Sequence, residues 1–404
     1  MQAQLFLNKQ PVLDSKQALY GYHLSLELVN DVDPSTVEWE KVMKAFCKDI
    51  AEQDGMTALT SNKPIFYRAP VEVLSLDLLP KIGDFSKLTV EVGLSVLHNK
   101  TVLEALKELI KSGAKVAILG YEDSDDFKKL LTIAKTVKLD AKNFTAEEVK
   151  KIISALKLQQ IKTVITGLET EEEFVDYANT DADLYQGYFF TNPIISGQKE
   201  LSGSRLAMLK LLAEVNDSEI EFNKIVQTIG SDVGLTHKLL SAINHPSNHI
   251  PQVVETLKDA VNFMGLKRLK FWVNMMVMSD VNDVPKELLT TALVRAKFME
   301  VLAAKQGRDA DKDRYFMTGM FSTLNAFLKT SMADIVEQLP LSKEVKSALV
   351  DHSGDMGRAL FVICSLEQGN DEMDDRNIDI MMVSSAYMNA NSWAYKTMAG
   401  LEAA

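Results

Sequence analysis

Glu91, Lys138, Asp140, Glu169 and Gln186 are the groups best placed to do chemistry, each at or just past the end of a short apolar, β-rich run. His23, Arg68, Leu119 and Gly120 hold the matching places on other runs. If the strands run parallel, all of these side chains gather at one end. An ammonium facing Glu91 or Glu169 there forms a buried ion pair that specifies the fold; the same set alternatively lines a ligand pocket. A second group, Lys267, Arg268 and Lys270 beside Phe271 and Trp272, has the basic-aromatic character of a nucleic-acid or partner surface, although three cations on one short helix are more often a solvated face. His237, His245, His249 and His352 are scattered, and Pro246 prevents His245 and His249 from sharing a helix face, so capping or solvent-facing roles are expected. Cys47 and Cys364 have neither disulfide nor metal spacing and read as buried, reduced core thiols.

Eight segments read as strands, at 4–7, 19–24, 65–68, 88–92, 115–119, 137–140, 163–166 and 184–190. Amphipathic stretches at 95–111, 123–135, 146–158 and 171–179 separate the later ones, which implies parallel strands with crossover helices. Only about a dozen residues join the first two, too few for a crossover, so they pair as a hairpin. An α/β domain follows, a (β/α)8 barrel of the TIM type with an antiparallel first strand, over 1–195. Behind Leu184–Phe190, with Gln186 its one amide, Asn192-Pro193 and Ser196-Gly197 stop regular structure. From Arg205 the periodicity is helical almost throughout, giving an all-α domain over 203–404. Its helices are expected at 206–214, 222–230, 235–244, 254–264, 267–279, 286–305, 313–330, 332–338 and 343–351, with a turn at Asn216-Asp217-Ser218 and short helices to the end. The methionines of this half read as core filler.

The chain has 404 residues, enough for two domains, and 46% hydrophobic with 25% charged residues is ordinary globular composition. A net charge of −12 disfavours phosphate backbones and anionic membranes, so neither nucleic acid nor membrane insertion is expected. With no basic leader at Met1-Gln2-Ala3-Gln4 and no window of about 20 apolar residues, a cytoplasmic location is expected.

Residues 4–195 resemble the EAL domain, a barrel that hydrolyses cyclic di-GMP. Gln186-Gly187-Tyr188-Phe189-Phe190 matches its Q-G-Y-F/L element, Lys138-Leu139-Asp140 its K-I-D strand, Leu168-Glu169-Thr170 the end of its E-G-V-E-T element, and Glu91 the first acid of its E-I-T-E strand. Tyr22-His23-Leu24-Ser25-Leu26-Glu27 stands in place of the E-A-L-L-R signature, so the metal-binding Glu is His23 and the phosphate-binding Arg is Glu27. Arg68 replaces a metal-ligating Asn, Leu119 and Gly120 replace two Asp, Thr166 an acid, and Leu94 another. Diester hydrolysis at such a site needs two hard cations in oxygen coordination. Only Glu91, Asp140 and Glu169 remain, so neither metal site nor diesterase is expected, and Glu27 places negative charge where a phosphate would sit.

Residues 203–400 resemble the HDOD domain, a helical relative of HD phosphohydrolases, through Ile229–Leu240 and through Leu257–Leu269. At the place of the metal-binding His-Asp pair stand Ser322-Thr323, and the chain has no His-Asp dipeptide. The order of the two resemblances is that of bacterial signalling proteins. The leading expectation is a non-catalytic scaffold that acts through protein partners, with the helical half binding and the barrel tuning it through the junction at 193–204. No cofactor is expected, and a homo-oligomer is compatible with the sequence. The second reading is a cyclic di-GMP receptor using Lys138, Asp140, Glu169 and Gln186 without hydrolysis; an active diesterase ranks last.

Overall fold

A computed structural model describes residues 4–29, 36–52, 55–74, 84–195, 203–216, 221–245, 252–281, 283–369 and 379–402. Eight strands close a barrel in chain order: β1 (Gln4–Leu13), β2 (Leu19–Val29), β3 (Ile65–Arg68), β4 (Leu88–Val92), β5 (Lys115–Leu119), β6 (Thr136–Asp140), β7 (Lys162–Thr166) and β8 (Leu184–Gln186). As expected from the short connection, β1 and β2 form an antiparallel hairpin with Gln10 opposite His23, and β1 also runs antiparallel to β8 with Val12 opposite Gln186. The other neighbours are parallel.

Three strands differ from expectation by more than one residue. β1 and β2 run on to Leu13 and Val29, because in a hairpin each added pair closes further ladder bonds at little entropic cost. β8 stops at Gln186 rather than Phe190: Gly187 has φ +141°, and Phe189–Thr191 turns into a 3-10 segment. A Cβ at 187 would lie 2.0 Å from the Leu168 carbonyl oxygen, so the two backbones approach closely at this glycine.

The helices are α1 (Trp39–Glu52), α2 (Gly55–Thr60), α3 (Val71–Leu74), α4 (Lys100–Lys111), α5 (Asp125–Leu131), α6 (Ala146–Lys157) and α7 (Glu171–Ala178), then α8 (Gly203–Asn216), α9 (Phe222–Gly230), α10 (Val233–Ile243), α11 (Leu257–Met264), α12 (Leu266–Ser279), α13 (Glu287–Lys305), α14 (Lys312–Phe321), α15 (Leu324–Leu328), α16 (Met332–Gln338), α17 (Lys343–Asp351), α18 (Gly354–Gln368) and α19 (Ile380–Glu402). Side chains set the starts of the crossover helices: Asn99 caps α4, and Thr145 with Glu148 and Thr170 with Glu173 close capping boxes on α6 and α7. Such caps stabilise by about 1 kcal/mol each. Asp232 caps α10 through the Leu235 amide, and Gly265 at φ +83° separates α11 from α12. The single helix expected at 313–330 is two, broken where Ser322 and Thr323 turn the chain between α14 and α15, and the final stretch holds two long helices rather than short ones.

The chain divides into two compact units, Met1–Asn192 with Cys364–Met388, and Pro193–Ile363 with Asn389–Ala404. The barrel unit thus includes the end of α18 and the start of α19, which the sequence places with the helical half. Inside the barrel Val12, Phe66, Val164 and Leu184 make an apolar plug. In the helical unit α13 is buried on most of its surface, and Gly319 lets α14 press onto it, since a Cβ there would lie 2.5 Å from the Arg295 carbonyl oxygen. Cys47 and Cys364 are free thiols, half-buried rather than buried. The turn residues Asp217 and Ser218, Pro246, His249 and junction residues 196–202 lie outside the described residues.

Candidate functional site

Strand alternation turns His23 of β2, Glu91 of β4, Lys138 of β6 and Gln186 of β8 into the barrel, all buried. The Lys138 ammonium donates to Glu91 Oε1 at 2.5 Å and to Gln186 Oε1, and it lies 5.4 Å from the centre of the Phe66 ring. His23 Nδ1 sits 2.8 Å from the same Glu91 oxygen and 3.4 Å from the ammonium. Of the two ion pairs the sequence allows for Lys138, the structure forms the one with Glu91; Glu169 pairs instead with Lys142 at 2.8 Å.

Electrostatics fixes the protonation of this cluster. Burial opposes the Glu91 charge, yet His23 and Lys138 more than offset it and hold the carboxyl down at about 2. Burial is the first cause that pushes His23 and Lys138 below their ordinary values, with Glu91 working against it in both and the Arg68 charge adding to it. An ionised carboxylate only accepts, so neutral His23 carries its proton on Nδ1 and donates to Glu91. Among the described residues Glu91 Oε2 has no hydrogen-bond partner although it is buried.

Above this layer opens a cavity of about 270 Å³, lined by residues that include His23, Glu27, Arg68, Asp140, Thr166, Glu169 and Gln186. Glu27 accepts from the Ser25 hydroxyl, and Oδ1 of Asp140, the last residue of β6, accepts the Lys142 amide at 2.9 Å. Leu119 ends β5, and the Gly120 amide donates to the Lys138 carbonyl. The cavity also takes Asn8 and Gln10 from β1 and Gln368 and Gly369 from the end of α18. Gln186 Nε2 donates to Gln10 Oε1 at 2.7 Å, Gln10 to the Glu367 carbonyl at 3.0 Å, and Asn8 to the Leu366 carbonyl at 2.8 Å. Sequence reading ended β1 at Leu7; the polar residues Asn8 and Gln10, two apart, carried the period-2 signal that would have extended it. Nothing in the sequence marked Gln368.

In the helical unit, Ser322 accepts from Arg295 at 3.2 Å and donates to the Gly319 carbonyl, while Thr323 is buried and bonded to the Met320 carbonyl. Lys267 pairs with Asp313, Arg268 is exposed on α12, and Lys270 is half-buried. His237 is exposed, and His352 takes a left-handed conformation (φ +52°) at the end of α17. Among the described residues no three His, Cys, Asp or Glu side chains gather so that they could hold a metal ion, and no helix is long and apolar enough to cross a membrane.

The buried histidine sets a pH response. Unfolded His23 binds a proton near pH 6.5 whereas folded His23 does so only at lower pH, so stability is full above 6.5 and falls on acidification; Glu91 adds a loss of the same sign from about 4.5 towards about 2. His352, lowered chiefly by burial and then by Arg295, contributes in the same direction as His23. We expect His23→Gln to reduce proton uptake on unfolding at pH 6 by up to about one proton, measured by titration calorimetry; unchanged uptake would contradict the assignment.

Among proteins of known sequence, the chain is similar to the cyclic di-GMP phosphodiesterase CdgJ of Vibrio cholerae, 27% identical over 362 residues, 88% of this chain and 83% of that one. It is similar along almost its whole length to the uncharacterized protein YuxH of Bacillus subtilis, 24% identical over 98% of this chain and 99% of that one. Among solved structures, the FimX EAL domain from Pseudomonas aeruginosa bound to cyclic di-GMP matches at 17% identity with a TM-score of 0.34, over 46% of this chain and 89% of that one. The family model of the HDOD domain matches residues 206–365. The chain therefore carries an HDOD domain behind a closed, mixed eight-stranded barrel.

Proposed function

We propose that this protein is a non-catalytic regulator in cyclic di-GMP-related signalling, in which the barrel (1–195) and the HDOD domain (203–404) act as interaction surfaces in the cytoplasm. The observation that carries this reading is the state of the three acids retained from the EAL pattern. Glu91 is bonded to Lys138 and His23, Asp140 to a loop amide, and Glu169 to Lys142. A two-cation site does not fit these residues: hard cations need several oxygens, and Leu119 and Gly120 offer no side-chain donor. The exposed Arg268 on α12 is the candidate contact for a protein partner, with Lys267 and Lys270 beside it. Incubated with Mg2+ or Mn2+, the purified chain will not linearise cyclic di-GMP above background; product that disappears in Glu91→Ala overturns the reading.

The cavity favours a second reading, a receptor that binds the dinucleotide without cutting it. Arg68 would meet a phosphate there, Glu27 would repel it, and a volume of about 270 Å³ lies just under the usual range for drug-sized ligands. Calorimetry with cyclic di-GMP separates the two, because the scaffold reading gives no heat of binding.

A further inference from the structure

We infer that the last turn of α18 is a gate on the barrel cavity, held shut by a two-amide clasp on β1. The gate is made of residues 366–369, all of which belong to the barrel unit, although α18 begins at Gly354 in the helical unit. A helix leaves its last four carbonyls without partners inside the helix. Here β1 takes two of them: Asn8 Nδ2 donates to the Leu366 carbonyl at 2.8 Å, and Gln10 Nε2 to the Glu367 carbonyl at 3.0 Å. Gly369 then ends the helix at φ +72°, its amide bonded to the Leu366 carbonyl at 3.2 Å. The fit is tight, since a Cβ at 369 would lie 3.1 Å from Asn8 Nδ2. Gln368 and Gly369 thereby become part of the cavity wall.

Three features make this wall movable. Water satisfies freed helix-end carbonyls much as an amide does, so opening leaves no orphan acceptor in α18. Asn8 Oδ1 is buried with no hydrogen-bond partner among the described residues, a cost that ends when the turn lifts and water enters. Gln10 is engaged at both ends, because its Oε1 accepts from Gln186 Nε2 at 2.7 Å while its amide holds Glu367. A molecule in the cavity that takes over Gln186 therefore loosens the clasp. The start of α19 keeps its own hold on β1, through the Phe6 and Tyr387 rings with centres 6.3 Å apart and the Tyr387 hydroxyl on the Lys9 carbonyl. Motion is thus confined to the end of α18. Closed, the cavity holds about 270 Å³, and a larger ligand enters only with the gate open. By linkage, whatever draws α18 off β1 raises the affinity for that ligand by the same factor as the ligand favours opening.

The test uses the full-length chain with one reporter thiol inside the cavity. Ser25, opposite Asn8 in the hairpin and 3% exposed, also lines the cavity, so Ser25→Cys in a Cys47→Ser/Cys364→Ser background supplies that thiol. Its rate of modification by N-ethylmaleimide reads opening, and hydrogen exchange of the 366–368 amides reads the clasp. Gly369→Ala, which strains a left-handed residue and crowds Asn8, is expected to speed both by about tenfold. Gln10→Met, which removes the donor to Glu367, should speed both by about as much. Exchange of the β6 amides stays unchanged if the gate opens without unfolding the barrel. Faster exchange at 366–368 with an unchanged thiol rate overturns the inference, as do unchanged rates in both variants or a thiol rate that rises only together with β6 exchange. If Gly369→Ala does not fold, Gln10→Met decides by the same three readings.

Discussion

Glu91→Gln will destabilise the barrel by about 3–5 kcal/mol, the usual cost of removing one partner of a buried ion pair. The carboxylate compensates Lys138 and accepts from His23 in a layer from which water is excluded, with Lys138 and Glu91 side chains 3% and 1% exposed. The variant keeps the volume but leaves the ammonium against a neutral amide. Because the penalty comes from the uncompensated charge rather than from lost packing, Glu91→Gln/Lys138→Met should recover most of the loss. Hydrogen exchange of the β4 and β6 amides, followed together with urea unfolding, measures both. A double variant as unstable as the single would show that the charges are not coupled.

Gly187→Ala is expected to cost about 3–5 kcal/mol, the sum of left-handed backbone strain and an overpacked contact. The position has φ +141°, and the new Cβ would meet the Leu168 carbonyl oxygen at 2.0 Å, backbone that cannot move without parting β8 from the turn after β7. Gly120→Ala is the control. It too has positive φ, +79°, but nothing lies within 4 Å of its Cβ, so only the conformational cost of about 1 kcal/mol remains. Thermal unfolding of both variants decides the point; equal losses would mean that the close approach at Gly187 is unimportant.

The barrel was legible because its signals are local. Short β-branched and aromatic runs alternate with amphipathic stretches at Lys100–Lys111 and Ala146–Lys157, and a connection too short for a crossover forces the β1–β2 hairpin. The ion pair was half legible, since Lys138 had two acids within the same pattern and only the three-dimensional register gives it Glu91. The polar extension of β1 through Asn8 and Gln10 was hidden by Pro11, which lacks a ladder donor and argues against a strand interior. The share taken in the cavity by Gln368 and Gly369 was illegible for a different reason: the bonds from Asn8 and Gln10 go to main-chain carbonyls of Leu366 and Glu367, and a carbonyl has no side-chain signature. In the helical unit, the chain turn that Ser322 and Thr323 make between α14 and α15 was missed because the apolar periodicity continues across it.

In the native barrel Glu91 is held by Lys138 and His23, Asp140 by the Lys142 amide and Glu169 by the Lys142 ammonium, and titration of the wild-type chain with Mn2+ by isothermal calorimetry tests most directly whether these partners leave no cation site. The account predicts no stoichiometric binding, at pH 7 and at pH 8 alike, because Glu91, Asp140 and Glu169 keep their partners. Stoichiometric Mn2+ uptake that is lost in Glu91→Ala would contradict it.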